Sequence, residues 1–400
     1  MYLKIMIIVK FIMNLIMQNI RFRRNKESNL KALTFFIMFL MSMSAMAANK
    51  IYVTQAGASL VFDVLQDGDG NQVGNSTTAS TASGSATNFN IDQVGNSNLI
   101  TFDIEGDNFT GVFSLTGNSS DIDFNCDSAG ATSGCDDINA VITFTGNSQN
   151  IDVDVGLASS KSGDNADIDI VGASGTDSTV VAATIDGTSA ILRLTINGDS
   201  NNYLINIDDN GDVAGHTLIM TQTGITADVD VVQSGSYDNS ATVVTTGDSQ
   251  NIDINQTAGG TITLTTTGST SSAVKTVNIN QTGHAVFNTD GTILGQTSDG
   301  LNGAGGTYDI DQTGASTINL DTNGASANVS IEQTSTGTVN IDANGTSFTA
   351  DIDQDNASTI NLHHDGNSAD YVILQTGGSG DTLTLTVNGA SANVDIIQRD

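Results

Sequence analysis

Proline and tryptophan are absent from this 400-residue chain, and aromatic residues make up only 5% of it. Proline cannot donate a backbone hydrogen bond, so its absence suits a chain in which nearly every segment joins a hydrogen-bonded ladder. A globular core of this size would normally use more large side chains, whereas two facing β-sheets lie only about 10 Å apart. These absences disfavour a compact globular domain and favour a narrow β structure.

Positive charge is scarce beyond the first 47 residues. That segment holds seven of the twelve Lys and Arg residues, and from Ala48 onward five basic residues accompany 43 acidic ones, a net charge of −38. Such a surface repels nucleic acid and anionic membranes and attracts cations and basic partners. We therefore exclude a nucleic-acid-binding function.

Long apolar runs are confined to the N-terminal region. A basic stretch at residues 21–31, an apolar run at 32–41 and small residues up to Ala47 are typical of a secretory signal peptide cleaved after Ala47. Residues 1–20 are also apolar but are interrupted by Lys4 and Lys10. This pattern favours a start assigned too early, with Met13 or Met17 as the true first residue, over a second membrane segment. We predict a secreted protein whose mature part, residues 48–400, has no membrane span.

Cysteine is limited to Cys126 and Cys135, nine residues apart in a segment rich in Asp, Gly and Ser. In an exported protein, such a pair is expected to form a disulfide that closes a surface loop.

A repeat of 21 residues organises the C-terminal part of the chain. Four glutamines recur at that spacing, and Gly324, Gly345 and Gly366 recur midway between them. Each period holds two short runs with alternating apolar residues, the pattern of half-buried strands. Units of this size bury a core only by stacking. We predict an all-β, amyloid-like β-solenoid of two-strand coils with about 21–23 residues each, interrupted by insertions near residues 76–87, 125–137 and 299–307.

Amide side chains are the predicted ladder residues of this solenoid. Stacked coils place equivalent residues about 4.8 Å apart, so that buried amides hydrogen-bond along the stack. The predicted ladder residues are Gln55, Gln66, Asn71, Gln93, Asn98, Gln222, Gln233, Gln256, Gln281, Gln312, Gln333, Gln354, Gln375 and Gln398.

Two segments carry a specific motif. Gln66-x-Gly68-x-x-Asn71 and Gln93-x-Gly95-x-x-Asn98 resemble the curlin repeat of bacterial curli, in which a second glutamine lies on the facing strand. The 11-residue pairs Gln55/Gln66 and Gln222/Gln233 match that spacing. In the regular block, Thr317 and Thr338 replace the motif's asparagine, so the resemblance there rests on the glutamines.

The resemblance to curlins implies a functional amyloid subunit that is secreted across the outer membrane. Such a subunit polymerises into cell-surface fibres for biofilm and adhesion. The implied partners are other copies of the same chain, a nucleator and an outer-membrane secretion pore. The alternative is a monomeric cell-surface β-solenoid that acts as an adhesin or binds a ligand through side loops.

Acidic residues Asp311, Glu332 and Asp353 directly precede three of the ladder glutamines, so we predict an outward acid ladder. One interpretation is a solvated face that keeps the protein soluble. The other is that Ca²⁺ or low pH neutralises these weak calcium-site candidates and promotes assembly. We predict no other cofactor.

Catalysis finds little support in the sequence. The few basic residues of the mature part are scattered, and His216, His284, His363 and His364 lie in or beside turns, where we expect them to be exposed. We therefore predict that the protein is not an enzyme. Ice binding is disfavoured because Thr-x-Thr, present at Thr261 and Thr382, does not recur between Gln312 and Gln375.

Overall fold

A computed structural model describes this chain at residues 50–68, 70–74, 77, 79–95, 97–126, 137–156, 166–173, 175–187, 189–208, 215–235, 239–267, 274–289, 301–302, 305–323 and 326–399. Within these ranges the fold is all-β and contains no helix. The predicted signal peptide, residues 1–47, and its start sites lie outside them. The described strands belong to the compact unit Ala48–Asp400.

The chain alternates between two parallel sheets. Sheet 1 contains β1 (Lys50–Ile51), β2 (Thr54–Ala56), β4 (Gln72–Val73), β5 (Ser80–Ser83), β7 (Leu99–Glu105), β9 (Asp121–Cys126), β11 (Asn150–Val155), β13 (Val180–Asp186), β15 (Asn201–Asp208), β17 (Thr226–Gln233), β19 (Ser249–Gln256), β21 (Val274–Thr282), β24 (Gly305–Thr313), β26 (Ser326–Gln333), β28 (Ser347–Asp355), β30 (Ser368–Thr376) and β32 (Ser391–Arg399).

The strands that lie between these in the sequence form the facing sheet. Sheet 2 contains β3 (Val61–Asp67), β6 (Asn88–Val94), β8 (Phe109–Thr116), β10 (Ile138–Thr145), β12 (Ala166–Gly172), β14 (Ile191–Asn197), β16 (Thr217–Thr223), β18 (Asn239–Thr246), β20 (Gly260–Thr267), β22 (Ala285–Thr289), β23 (Leu301–Asn302), β25 (Ser316–Thr322), β27 (Gly337–Ala343), β29 (Thr359–Asp365) and β31 (Thr382–Asn388).

Between the first and last coils, each strand pairs in parallel with strands of the same sheet one coil earlier and one coil later. In the regular part, Ser326 of β26 pairs with Ser347 of β28, and Ser347 pairs with Ser368 of β30, so each step is 21 residues. The result is a β-solenoid of about 13 turns with about 23 residues per coil. This confirms the fold predicted from the repeat.

The core is the narrow space between the sheets. Alternate residues of each strand point inward, as the periodicity of two predicts. One inward column of sheet 1 is aliphatic over nine successive coils, which gives the stack a continuous ridge. It consists of Ile205, Val231, Ile254, Ile279, Ile310, Ile331, Ile352, Ile373 and Ile396.

Glycines stack at the corners where the chain passes from one sheet to the other. Gly314 has φ +103°, and a Cβ there would lie 2.1 Å from the carbonyl oxygen of Gly283 one coil below. Only glycine allows this backbone conformation and this close approach together. Two of the periodic glycines, Gly345 and Gly366, lie at such corners, between β27 and β28 and between β29 and β30, and Gly324 lies outside the described residues.

Two of the predicted insertions differ in the structure. Residues 76–87 are not simply a loop, because Ser80–Ser83 form β5, with Ser80 and Ala82 buried. Gly305 to Thr307 belong to β24, so the prediction at 299–307 is partly wrong as well. Neither strand was predicted, because the small Ser, Ala and Gly side chains in these segments carry little apolar signal. Of the third predicted insertion, residues 127–136 lie outside the described ranges.

Candidate functional site

Eight glutamines of sheet 1 form one continuous amide ladder, which we call the glutamine ladder. In each step, Nε2 of one glutamine donates to Oε1 of the glutamine one coil earlier. The steps and distances are Gln256 to Gln233 3.1 Å, Gln281 to Gln256 2.9 Å, Gln312 to Gln281 2.7 Å, Gln333 to Gln312 3.3 Å, Gln354 to Gln333 2.6 Å, Gln375 to Gln354 3.3 Å and Gln398 to Gln375 2.7 Å.

The last inward position of each strand holds the glutamine, beside the corner that leads to sheet 2. From Gln233 to Gln375 the side chains are buried. The amide of Gln333 also donates to Oγ of Ser316 (2.8 Å), and that of Gln375 to Oγ of Ser358 (3.2 Å). These bonds tie the ladder to the adjoining sheet. A buried amide without a partner costs about 1–3 kcal/mol, so the ladder penalises any shift in register.

Gln55 lies in the same column as the glutamine ladder but is not joined to it. The column runs through six residues without a side-chain amide before it reaches Gln233. These are Ala82, Ile104, Cys126, Val155, Ile185 and Ile207. Nε2 of Gln55 instead donates to the carbonyl oxygen of Gly57 (2.7 Å).

The two curlin-like motifs form a shorter site at the other end of the solenoid. Gln66 and Gln93 stack in sheet 2, where Nε2 of Gln93 donates to Oε1 of Gln66 (2.7 Å). Asn71 is buried at the corner and donates to the carbonyl oxygens of Gly68 (2.8 Å) and Val94 (3.1 Å). Asn98 occupies the equivalent corner of the next coil. The motif therefore pairs a ladder amide with a corner amide.

Gln222 lies at the end of β16, at the opposite corner of the coil from Gln233, and extends no glutamine ladder. Its neighbours in the column are Ile196 and Thr245. Its Oε1 accepts from the hydroxyl of Tyr203, and its Nε2 donates to the carbonyl oxygen of Gly198 (2.9 Å). Gln222 is thus a local crosslink between the sheets.

A second amide ladder, on the outward side of sheet 2, was missed by the sequence analysis. Nδ2 of Asn319 donates to Asn288 (2.7 Å), that of Asn340 to Asn319 (2.8 Å) and that of Asn361 to Asn340 (2.9 Å). The signal was present, because Asn319, Asn340 and Asn361 recur at the 21-residue period.

The predicted acid ladder exists as a column. Asp311 pairs with Glu332, and Glu332 with Asp353, and all three side chains are exposed on the outer side of sheet 1. Partial desolvation and then the neighbouring carboxylates Asp309 and Glu332 raise the pKa of Asp311. The pKa of Asp353 is raised by the same kinds of cause, with Glu332 among them. The carboxylates therefore repel one another along the stack.

Two histidines were predicted to be exposed and are buried. His216 is 1% exposed, and its Nδ1 accepts from the backbone amide of Ala190 (3.1 Å). His364 is fully buried against Phe348 and Tyr371, and burial lowers the pKa of its imidazole. For His364 the prediction failed because β29 extends to Asp365 and its alternation, with Ile360 and Leu362 inward, continues to His364. His363 is half-buried beside Asp342, and His284 is exposed.

Lys275 is a further buried group that the sequence did not reveal. Its side chain lies inside the solenoid at the start of β21, where burial lowers the pKa of the ammonium to about 7. It occupies the column position of Gln250 one coil earlier and Gly306 one coil later. The parity of the strand predicts an inward side chain there, but the polarity of lysine argues against it.

The remaining predicted sites are covered only in part. Cys126 is buried at the end of β9, and its predicted disulfide partner, Cys135, lies outside the described residues. In the ranges that the structure describes, no three His, Cys, Asp or Glu side chains are arranged to hold a metal ion. The described part of the chain has no helix with the length and hydropathy needed to cross a bilayer.

Comparison with known proteins gives no relative: no family model, no curated protein and no solved structure matches this chain. The functional interpretation therefore rests on the solenoid itself. Its distinguishing feature is an amide ladder that ends at Gln398, where Nε2 is bonded to Gln375 and Oε1 has no donor within the described residues.

Proposed function

We propose that this protein is a secreted structural subunit that polymerises head to tail into an extracellular, amyloid-like fibre for biofilm matrix and adhesion. The observation that carries the proposal is the exposed inner row of β32. Val394 is 39% exposed and Ile396 is 42% exposed, whereas Tyr371 and Ile373, one coil earlier in the same columns, are at most 1% exposed. An uncovered strand with apolar side chains and free backbone groups is a template for another strand.

The first coil presents side chains that match this row. Ile51, Val53 and Gln55 occupy the same three columns of sheet 1 as Val394, Ile396 and Gln398. A second copy stacked in register would place its Ile51 on the column of Val394 and its Val53 on the column of Ile396. It would also place the amide of its Gln55 next to the open Oε1 of Gln398. Head-to-tail contacts of this kind do not close, so they propagate into a filament.

The sequence supports the proposed compartment and partners. The predicted signal peptide and the resemblance to curlins support export through an outer-membrane pore and initiation by a nucleator. The net charge of −38 from Ala48 onward supports a soluble subunit before assembly. Ca²⁺ remains a candidate for neutralising the acid ladder.

A pair of adjacent substitutions tests this function. Ile396 points into the open end, whereas Ile397 is similarly exposed (37%) but points to the outer side of sheet 1. We expect Ile396→Asp to abolish filament growth, because it would bury a carboxylate at each junction between subunits. Ile397→Asp should leave growth close to that of the unmodified protein. Growth is measured by light scattering and electron microscopy at equal concentrations.

Equal growth of both variants would contradict the proposed contact. A soluble monomer that forms no filaments under any assembly condition would instead favour the alternative of a monomeric surface adhesin.

A further inference from the structure

The two broad outer surfaces of the solenoid differ sharply in charge. From β9 to β21, the outward side chains of sheet 1 include nine aspartates and no Lys or Arg; we call this the acidic face. From β8 to β20, the outward side chains of sheet 2 include two aspartates and one arginine; we call this the neutral face. A protein with 43 acidic residues beyond Ala48 thus keeps one surface almost free of charge.

The few charges on the neutral face are compensated locally. Nη1 of Arg193 donates to Oδ1 of Asp169 (2.9 Å) and also bonds Asp167 on the preceding coil. The rest of the face consists of Thr, Ser and Asn together with Val and Ile. Its exposed apolar side chains include Val112 (41%), Val171 (37%) and Ile219 (40%).

The acidic face has the opposite character. Burial and neighbouring carboxylates raise the pKa values of Asp123, Asp152, Asp154 and Asp230 there. Two copies meeting through this face would bring two arrays of aspartates together without any Lys or Arg. Like-charge contact of this kind is strongly unfavourable. Side-by-side contact therefore has to use another surface.

We propose that the neutral face is the surface through which two copies of this protein associate side by side. The neutral face spans seven coils spaced about 4.8 Å apart, and its strands hold about seven residues with a rise of about 3.3 Å each. These dimensions give a flat area of about 800 Å² per copy. A stable protein interface needs a similar area from each partner. Both copies carry the same spacing between coils, so rows of Thr and Val from one can fit between rows of the other. The contact uses the same patch on both copies, so it is a two-fold interface that limits the association to two copies.

Lateral pairing requires only the folded rod and does not depend on head-to-tail growth. If filaments form, pairing appears as two filaments running together. If they do not form, it appears as a dimer of the soluble protein. The failure of the proposed fibre and the failure of this inference are therefore separate results.

Matched charge substitutions on the two faces test the proposal. The neutral-face variant carries Val112→Glu and Ile219→Glu. The control carries Val180→Glu and Val232→Glu on the acidic face, where these valines are similarly exposed, at 42% and 38%. Both variants replace outward aliphatic residues and add two negative charges. Circular dichroism establishes that each variant retains the β fold, and any variant that does not is replaced by Thr221→Glu or Thr184→Glu on the corresponding face.

The association is measured by electron microscopy of filaments and by sedimentation of the soluble protein. We expect paired filaments or dimers for the unmodified protein and for the control. The neutral-face variant should give single filaments, or a dimer dissociation constant about tenfold weaker or more. The proposal is overturned if the unmodified protein is unpaired in both assays, or if the two variants lose pairing equally. An unpaired protein that shapes ice crystals or sediments with cellulose would assign the face to that partner instead.

Discussion

Gln333 illustrates how much one side chain contributes to this fold. Its amide accepts from Gln354, donates to Gln312 and also donates to Ser316 across the corner. Removing the amide leaves Oε1 of Gln312 without its donor and Nε2 of Gln354 without its acceptor. The cost belongs to the neighbours as much as to Gln333, because unsatisfied buried polar groups are expensive.

We therefore expect Gln333→Leu to lower the free energy of unfolding by about 2–4 kcal/mol, although leucine has a similar size. Glu332→Ala is the control, since it removes the adjacent outward side chain. It should leave stability unchanged or raise it slightly, because it relieves repulsion within the acid ladder. Chemical denaturation of both variants measures the difference. A Gln333→Leu variant as stable as the control would show that the ladder amides contribute nothing.

At the residue scale, the sequence predicted the side chains that obey the period. The ladder from Gln312 to Gln375 follows from a 21-residue step, because equal spacing places residues in one column. The burial of Lys275 and His364 could not be predicted in the same way. Each occupies an inward position near a corner, where strand parity and residue polarity give opposite answers. Whether such a side chain is buried depends on where the strand ends and the corner begins.

At the element scale, the outward rows of sheet 1 make stability depend on pH. The pKa values of Asp311 and Asp353 are raised in the folded protein, so the folded state holds their protons more tightly than the unfolded state. Their contribution to stability is therefore greatest below the ordinary carboxyl pKa and is lost as pH rises through the raised values. His364 acts in the opposite direction, because its lowered pKa costs stability as pH falls below 6.5.

Comparison with Glu332→Gln isolates the acid ladder from the histidine. Glu332 contributes to the raised pKa of both Asp311 and Asp353. We expect this variant to be more stable than the unmodified protein at neutral pH, with a difference that shrinks as the pH is lowered to about 4. Thermal unfolding over this range measures it. A difference that stays constant with pH would refute repulsion within the ladder.

Ca²⁺ should promote assembly, as low pH should, if it neutralises the carboxylates of the acid ladder. Assembly rates that respond neither to Ca²⁺ nor to EDTA would reject that hypothesis, and the acid ladder would then serve solubility alone.

At the scale of the whole molecule, the repeat predicted the solenoid but not the number of coils. Residues 48–400 at about 22 residues per coil would make roughly 16 coils, whereas the structure has about 13. The reason is that the step between paired strands is not constant. It is 21 residues between β26 and β28 but 29 between β8 and β10 and 31 between β21 and β24. Short-range periodicity detects strands but does not reveal how many residues lie outside them.

Stacked coils contact mainly their neighbours, so one whole coil should be removable. Deletion of residues 334–354 joins Gln333 to Asp355 and would bring β26 next to β30, with Gln333 beside Gln375. We expect a folded protein whose denaturation midpoint is close to that of the full chain. Deletion of residues 334–344 is the matched half-coil control, and it should destabilise strongly because it exchanges the two sheets. Equal stability of both deletions would contradict the ladder register.

The most direct test of the account is fibre diffraction on purified protein lacking residues 1–47, incubated until assembly is complete. If the subunits polymerise by stacking, filaments should give a reflection near 4.7 Å along the filament axis. The Ile396→Asp variant should give no filaments under the same conditions. A protein that remains a monomeric rod at high concentration, or filaments without this reflection, would contradict the proposed head-to-tail solenoid fibre.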